Sequence, residues 1–255
     1  MIKNRFIRCV ALSAFAIPGA MAATGHAYLG TSLAGSHARL GNSSPQISYF
    51  SGATITDAYP LNDNYALKAV WGINGGYQFT GQDKMPSVAL GLGAYSTLSG
   101  YGFDGRLIET AAGDSGATLY HYDYKIKSAR LMAEAQLSWA FGEAIPFVDA
   151  GIGAAWNRSS GYGETAVTSM GYPPLPGFQS RTHRNLAWQA GFGLGEAFNF
   201  GQSKSDYQHE RMAIGYRYVD TGTASFGGRN AIYPYALNLG TLRTNDVYIS
   251  YTHLF

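Results

Sequence analysis

The stretch Ala187-Trp-Gln-Ala-Gly-Phe-Gly-Leu-Gly-Glu-Ala-Phe198 alternates residue by residue. Extended, it puts Trp188, Ala190, Phe192 and Leu194 on one face and Gln189, Gly191, Gly193 and Gly195 on the other, the period of two that marks a strand. Val88-Ala-Leu-Gly-Leu-Gly-Ala-Tyr95 repeats the pattern, with Val88, Leu90, Leu92 and Ala94 opposed to Ala89, Gly91, Gly93 and Tyr95. Neither face of this second stretch carries a charge. A helix that crosses a bilayer needs about 20 consecutive apolar residues, which such alternation does not supply.

The same reading extends to eight segments, approximately Ala27–Gly35, Tyr65–Phe79, Val88–Tyr101, Tyr120–Ala140, Ile145–Asn157, Ala187–Phe198, Glu210–Val219 and Asp246–Phe255. Parity places Trp71, Trp139, Trp156 and Trp188 on the apolar register. The connections alternate long and short, the long ones spanning roughly Ser36–Asn64, 102–119, Arg158–Leu186 and Asp220–Asn245. A soluble sandwich has no reason to gather its long loops at one end, whereas a barrel in an outer membrane has short periplasmic turns and long outer loops. An even strand count returns the chain to the side it entered from, and closure pairs every backbone group where lipid offers no partner. The expectation is an all-β, eight-stranded antiparallel transmembrane β-barrel with four long extracellular loops and short periplasmic turns. Aromatic residues should ring both rims: Tyr77, Phe79, Trp139, Phe141, Phe147, Phe198, Phe200 and Phe255 at the periplasmic end, and Tyr101, Tyr120, Tyr122, Trp156, Trp188 and Tyr218 at the other.

Composition agrees. Of 255 residues 13% are charged, 46% hydrophobic and 14% aromatic, with 33 Gly and 19 Tyr. That argues against disorder, and the absence of a basic patch argues against nucleic acid as a partner. Lys3, Arg5 and Arg8 precede an apolar run from Cys9 to Ile17, then Pro18, Gly19 and the small-residue triplet Ala20-Met-Ala22, so residues 1–22 read as a cleaved export signal and 23–255 as one barrel domain. Cleavage takes three of the 18 basic residues and none of the 16 acidic ones, turning a formal charge of +2 into −1. It also takes Cys9, the single cysteine, so neither a disulfide nor a thiolate metal site is expected.

Three motifs then carry a family resemblance. Ile145-Pro-Phe-Val-Asp-Ala-Gly-Ile-Gly-Ala-Ala-Trp156 resembles the fifth strand of small outer-membrane β-barrel proteins of the OmpA-transmembrane, OmpX and opacity type, and Ala213-Ile-Gly-Tyr-Arg-Tyr-Val219 is similar to their seventh. Phe255, with Tyr251, Ile249 and Val247 on its own register, resembles the carboxy-terminal signal read by the outer-membrane assembly machinery, although His253 stands where an aromatic residue is usual. The resemblance implies residence in a Gram-negative outer membrane, contact with outer-membrane lipid and lipopolysaccharide, and assembly by that machinery.

The face opposite the apolar one gathers Lys68, Arg130, Glu134, Asp149, Arg217 and Asp246, with Asn74, Gln78, Gln136, Gln189, Arg211, Ser250 and Thr252. An eight-stranded barrel is wide enough only for its own side chains, so these charges should pair and close it, Arg130, Arg217 and Lys68 neutralising Glu134 and Asp149. The competing reading is a narrow channel gated by the same residues. Enzyme motifs are sparse. Gly91-Leu-Gly93, Gly151-Ile-Gly153 and Gly191-Phe-Gly193 complete no nucleotide fingerprint, and no Gly-x-Ser-x-Gly elbow or His-Glu-x-x-His helix occurs. A rim hydrolase could be built only on His121 beside Asp123, or on His183; His209 and His253 lie near the periplasmic side. No catalytic, cofactor or metal site is expected. Function should sit in the long loops, the third with Pro173, Pro174, Pro176 and Phe178 and the fourth with Phe226, Arg229, Tyr233, Tyr235 and Leu237, residue types suited to adhesion or to a host or other extracellular ligand.

Overall fold

The computed structural model describes residues 25–50, 54–80, 85–111, 117–167, 177–198, 210–229 and 234–255. The segment read as an export signal lies outside them, as do Pro173, Pro174, Pro176, Phe200, His209 and Tyr233. Within them run eleven strands: β1 (Gly25–Leu40), β2 (Gln46–Phe50), β3 (Thr54–Ala58), β4 (Tyr65–Phe79), β5 (Ser87–Thr97), β6 (Tyr101–Ala111), β7 (Ala117–Ser138), β8 (Ala144–Ala166), β9 (Arg181–Phe198), β10 (Glu210–Ser225) and β11 (Asn238–Leu254).

Eight staves close into a ring. β4, β5, β7, β8, β9, β10 and β11 pair in succession, and β1 closes the circle between β11 and β4, every pairing antiparallel. Phe255 N–H donates to the Ala27 carbonyl at 2.9 Å, tying the chain's last residue to the first stave. β5 and β6 are two halves of one stave. β5 pairs with the lower part of β7, from Val88↔Leu137 to Ser96↔Ala129, and β6 with its upper part, from Tyr101↔Ile126 to Glu109↔Ala117. The β2–β3 hairpin, from the first long connection, adds to the other edge of β6 through Ile55–Ala58, so the sheet continues above the ring.

The outer surface explains what surrounds the ring. Leu186 is 74% exposed, Leu92 61% and Phe192 60%, a band of large apolar side chains that only lipid makes tolerable. Along β7 the outward residues are Leu137, Ala135, Ala133, Leu131 and Ala129, followed by Lys127, Lys125, Asp123 and His121. Its inward residues run Gln136, Glu134, Met132, Arg130 and Ser128, then Ile126, Tyr124, Tyr122 and Tyr120. Parity never changes, but the apolar face switches from outside to inside between Ser128 and Lys127. β1 switches likewise between Gly35 and His37, with Ala38 and Leu40 buried above, and β11 between Val247 and Asn245, with Leu242 buried above. The switch marks where lipid gives way to water.

The staves therefore rise past the membrane, and the outer connections begin later than alternation alone suggested. β1 reaches Leu40, β8 reaches Ala166 and β9 starts at Arg181, while β6 and β7 leave only 112–116 between them. Tyr101, Tyr120 and Tyr122, expected in the outer aromatic girdle, are buried inside instead. Above the switch the inside is the dry side, so aromatic residues on that parity turn inward.

Candidate functional site

The lumen is filled in layers, each built from inward positions of several staves. In the lower layer Glu134 accepts hydrogen bonds from Tyr95 Oη and Gln189 Nε2, both at 2.6 Å. Tyr95 lies between two guanidinium groups, with Arg130 4.6 Å and Arg217 4.9 Å from its ring centroid, and Arg217 also sits 4.6 Å over Tyr248. Tyr248 Oη donates to Asp149 Oδ2 at 3.2 Å, and Arg217 Nε stands 3.6 Å from Asp149 Oδ1, an ion pair too long for a hydrogen bond. These rings need space opposite them: a Cβ on Gly72 would lie 2.2 Å from Tyr95, and one on Gly215 2.5 Å from Tyr248. Inward glycines here are the counterpart of inward aromatics.

One layer up, Arg130 Nη2 meets Asp246 Oδ2 at 3.0 Å with both side chains at most 4% exposed. Ser36 donates to Asp246 Oδ1 and shares a 2.7 Å hydrogen bond with Tyr101. Five of the seven charges assigned to the lumen by parity thus enter one connected network, and Arg211 lines the cavity beside it. Lys68 faces inward on β4 yet makes no ion pair among the described residues, so Asp149 is met by Arg217 and Tyr248 and Glu134 by neutral donors. On the periplasmic side of this network remains a cavity of about 60 Å³, lined by Tyr28, Asn74, Gln78, Arg211 and Thr252 among others. It has room for a few waters.

Above the polar layers the barrel is closed by packed rings. Tyr59, Tyr101, Phe103, Tyr124 and Phe226 are at most 2% exposed. Tyr122 stacks on Tyr124 (centroids 6.1 Å apart, 7°) and on Tyr162 (5.8 Å, 17°), and Phe178 meets Tyr162 edge-on at 4.8 Å. The first connection is pinned to this core, since Tyr122 Oη donates to the Tyr59 carbonyl at 2.7 Å. Arg229, from the fourth connection, pairs with Glu164, donates to Tyr59 Oη at 3.1 Å and lies 4.2 Å over Phe178. Burial and nearby Glu109 push the Asp57 carboxyl up to about 6, although Arg229 acts in the opposite direction. Sequence reasoning placed Phe178, Phe226, Arg229 and Leu237 on recognition loops. Phe178, Phe226, Arg229 and Leu237 are all buried, and they hold the cap together. Tyr235, 45% exposed, faces outward.

The histidines divide. His121 is exposed on the outside of β7. His183 Nε2 lies 2.6 Å from Ser225 Oγ inside the upper barrel, and burial followed by the Arg181 charge lowers its pKa. No carboxylate reaches its ring among the described residues, and Ser225 is 7% exposed. His253 bonds Glu210 at 3.0 Å on the periplasmic rim. Val247, Ile249, Tyr251 and Phe255 form an exposed line down the outside of the last stave.

An apolar exterior, full closure and a filled interior occur together. The chain is a membrane-spanning β-barrel. No protein-family model and no curated protein matches it. Among solved structures it is similar to Neisserial surface protein A, with 11% identity, TM-score 0.47, and 90% of this chain and 97% of that one covered. It is also similar to OprG of Pseudomonas aeruginosa (13% identity, TM-score 0.41, 91% and 97% covered) and to the outer membrane protease OmpT of Escherichia coli (10%, 0.42, 92% and 99%).

Proposed function

We propose that this barrel acts by contact at its outer surface, in adhesion, in recognition of a partner outside the cell or in envelope integrity, and that it neither conducts nor catalyses. The observation that carries this reading is the double filling of the lumen: the Arg130–Asp246 layer below and the cap centred on Tyr59, Tyr124 and Phe226 above. A barrel so filled leaves its exterior as the working surface. The same cap holds the first and fourth outer connections rigid, and a preorganised surface gives up little conformational entropy when it binds. The outer face of the β2–β3 hairpin, where Ser48 and Thr56 share a 3.0 Å hydrogen bond, and exposed Tyr235 are the surface offered.

The test is planar-bilayer recording of the refolded protein, its folding verified by a difference in gel mobility between unheated and boiled samples. A silent bilayer supports the reading. Discrete conductance steps that change in Glu134→Gln or Arg217→Gln would replace it with the narrow channel.

A further inference from the structure

The cavity on the periplasmic side of the charge network contains a cation with nothing to answer it. Arg130 is paired with Asp246 and Arg217 with Asp149, but Arg211 makes no ion pair among the described residues, and its Nε is buried without a partner. Its cross-strand neighbours explain why. Arg211 lies directly opposite Ala197 on β9 and Thr252 on β11, with Gly195, Ser250 and Leu254 on the diagonals, so no carboxylate stands beside it on either stave. Lys68 is also unpaired, but it shares the level of Ser36 and Asp246 and does not line the cavity.

What surrounds the guanidinium is a set of neutral donors. Asn74 of β4, Gly30 of β1, Thr252 of β11 and Arg211 form one continuous cross-strand row. Gly30 lets that row close inward: a Cβ there would lie 2.5 Å from Asn74 Oδ1 and 3.0 Å from Thr252 Oγ1, so both side chains turn over bare backbone. The Arg211 stem passes Gly195 in the same way, where an added Cβ would meet Cδ at 3.4 Å. Asn74, Ser250 and Thr252 make no side-chain hydrogen bond among the described residues, and all three line the cavity and are only partly buried. The other charged groups facing this space already have partners. Glu134 is held by Tyr95 and Gln189, and Asp149 by Tyr248 and Arg217.

From this arrangement we infer that Arg211, Asn74, Ser250 and Thr252 form a binding site for a small carboxylate, of formate or acetate size, which enters from the periplasmic end. Arg211 is one residue from the start of β10 and partly accessible, so the site opens there. A cation withdrawn from water without a counter-charge is costly, and an anion beside it removes that cost. The planar guanidinium presents parallel N–H donors that match two carboxylate oxygens and not a halide, and the amide and hydroxyls of the site donate to the same oxygens. At about 10–15 Å³ for each water-sized centre, the cavity of about 60 Å³ takes about four to six heavy atoms. Glu134 and Asp149 face the same space, and their charge weighs against a dianion such as phosphate. The Arg130–Asp246 layer and the cap close the far side, so the site is a blind pocket and is independent of what the outer surface contacts.

The experiment compares wild type with Arg211→Gln, Thr252→Val and, as a control outside the lumen, Arg243→Gln. Each is refolded into zwitterionic detergent micelles in buffer free of carboxylates, and the heat-dependent gel shift verifies the barrel before binding is measured. Saturation-transfer NMR then follows the formate proton over a concentration series at constant ionic strength, with acetate, chloride, phosphate and the neutral isostere formamide as competitors. Wild type and Arg243→Gln should show saturable transfer that acetate displaces and that equal concentrations of chloride, phosphate or formamide do not. Arg211→Gln should raise the half-saturating concentration roughly tenfold or more, and Thr252→Val about threefold. Thr252→Val keeps the guanidinium in place, so it decides the matter should Arg211→Gln fail to fold. Absence of saturable transfer in wild type, an unchanged half-saturation in folded Arg211→Gln or, failing that variant, in Thr252→Val, an equal loss in the control, or displacement by chloride, phosphate or formamide at the acetate concentration would each overturn the proposal.

Discussion

Arg130 and Asp246 are stable together and costly apart. Both are buried, and Arg130→Met leaves a carboxylate with only the Ser36 hydroxyl to compensate it. Breaking one side of a buried ion pair typically costs about 3–5 kcal/mol, whereas removing both charges together costs far less. Urea unfolding in micelles should therefore place Arg130→Met well below wild type and Arg130→Met/Asp246→Asn between them. Equal midpoints for single and double variants would show that the pair is not coupled. Asp57 is the opposite case, a carboxyl that the fold makes harder to ionise. Its folded pKa of about 6 lies above an unfolded value near 3.8, so the folded state holds its proton more tightly. Stability from this residue is full below the unfolded value, declines as pH rises between the two, and is level above about 6. Asp57→Asn should thus stabilise the cap at pH 7.5 by on the order of 1–2 kcal/mol and make no comparable difference at about pH 4. The check is the temperature of the gel-mobility transition at the two pH values, and a gain independent of pH would count against it.

At the scale of the strand, the lower half of every stave was legible because lipid outside and polar filling inside give alternation its plainest form. Trp188, Phe192 and Leu194 against Gln189, Gly191 and Gly193 placed β9 correctly, and the polar parity brought Arg130, Glu134, Asp149, Arg217 and Asp246 into one lumen. The upper halves were not legible as strand in β1, β8, β10 and β11, because above the membrane both faces change character at once. Arg158 and Ser160 outside, with Ser159 inside, read as polar loop although they lie on β8. Tyr120 and Tyr122 read as girdle because an aromatic residue near a rim suits either side, and only the switch at Lys127 tells which. Nor does sequence reveal where a stave bends. β10 carries a bulge between Asp220 and Thr223, with Gly222 at φ 77° and its N–H donating to Asp220 Oδ1 at 2.9 Å. Asn157 Nδ2 caps the displaced carbonyls of Thr221, Gly222 and Thr223 at 2.9–3.3 Å. A Cβ at 222 would adopt a left-handed backbone and lie 2.4 Å from that of Asn185. Gly222→Ala should accordingly cost about 1–2 kcal/mol from the backbone alone, with the clash added. A smaller fall for Gly222→Ala in an Asn185→Gly background than in wild type would separate clash from backbone strain, and an unchanged Gly222→Ala midpoint would refute both.

For the whole molecule, the filling of the lumen has a consequence that neither layer carries alone. The lower seal is polar: Tyr95 between Arg130 and Arg217, with Asp246 and Asp149 paired to those two cations and Glu134 held by Tyr95 and Gln189. The upper seal is apolar, and its rings come from β6, β7, β8 and the outer connections, so it depends on the staves having risen past the membrane. The periplasmic cavity stops beneath the first, and the second lies between it and the outside. An ion crossing such a barrel would have to break the charge network and then cross a dry aromatic layer, two barriers in series. Truncating the cap with Tyr124→Ala/Phe226→Ala removes one, and replacing Arg217→Ala/Asp149→Ala loosens the other while leaving no buried charge of that pair unmatched. Either double variant should remain silent in planar bilayers, because the intact layer still blocks the path. The quadruple variant, if the gel shift shows it folded, should pass small cations and anions in brief, low-amplitude steps. Conductance already present in the cap variant would mean that the charged layer is open to ions by itself, and the barrel would then be a channel closed only from above.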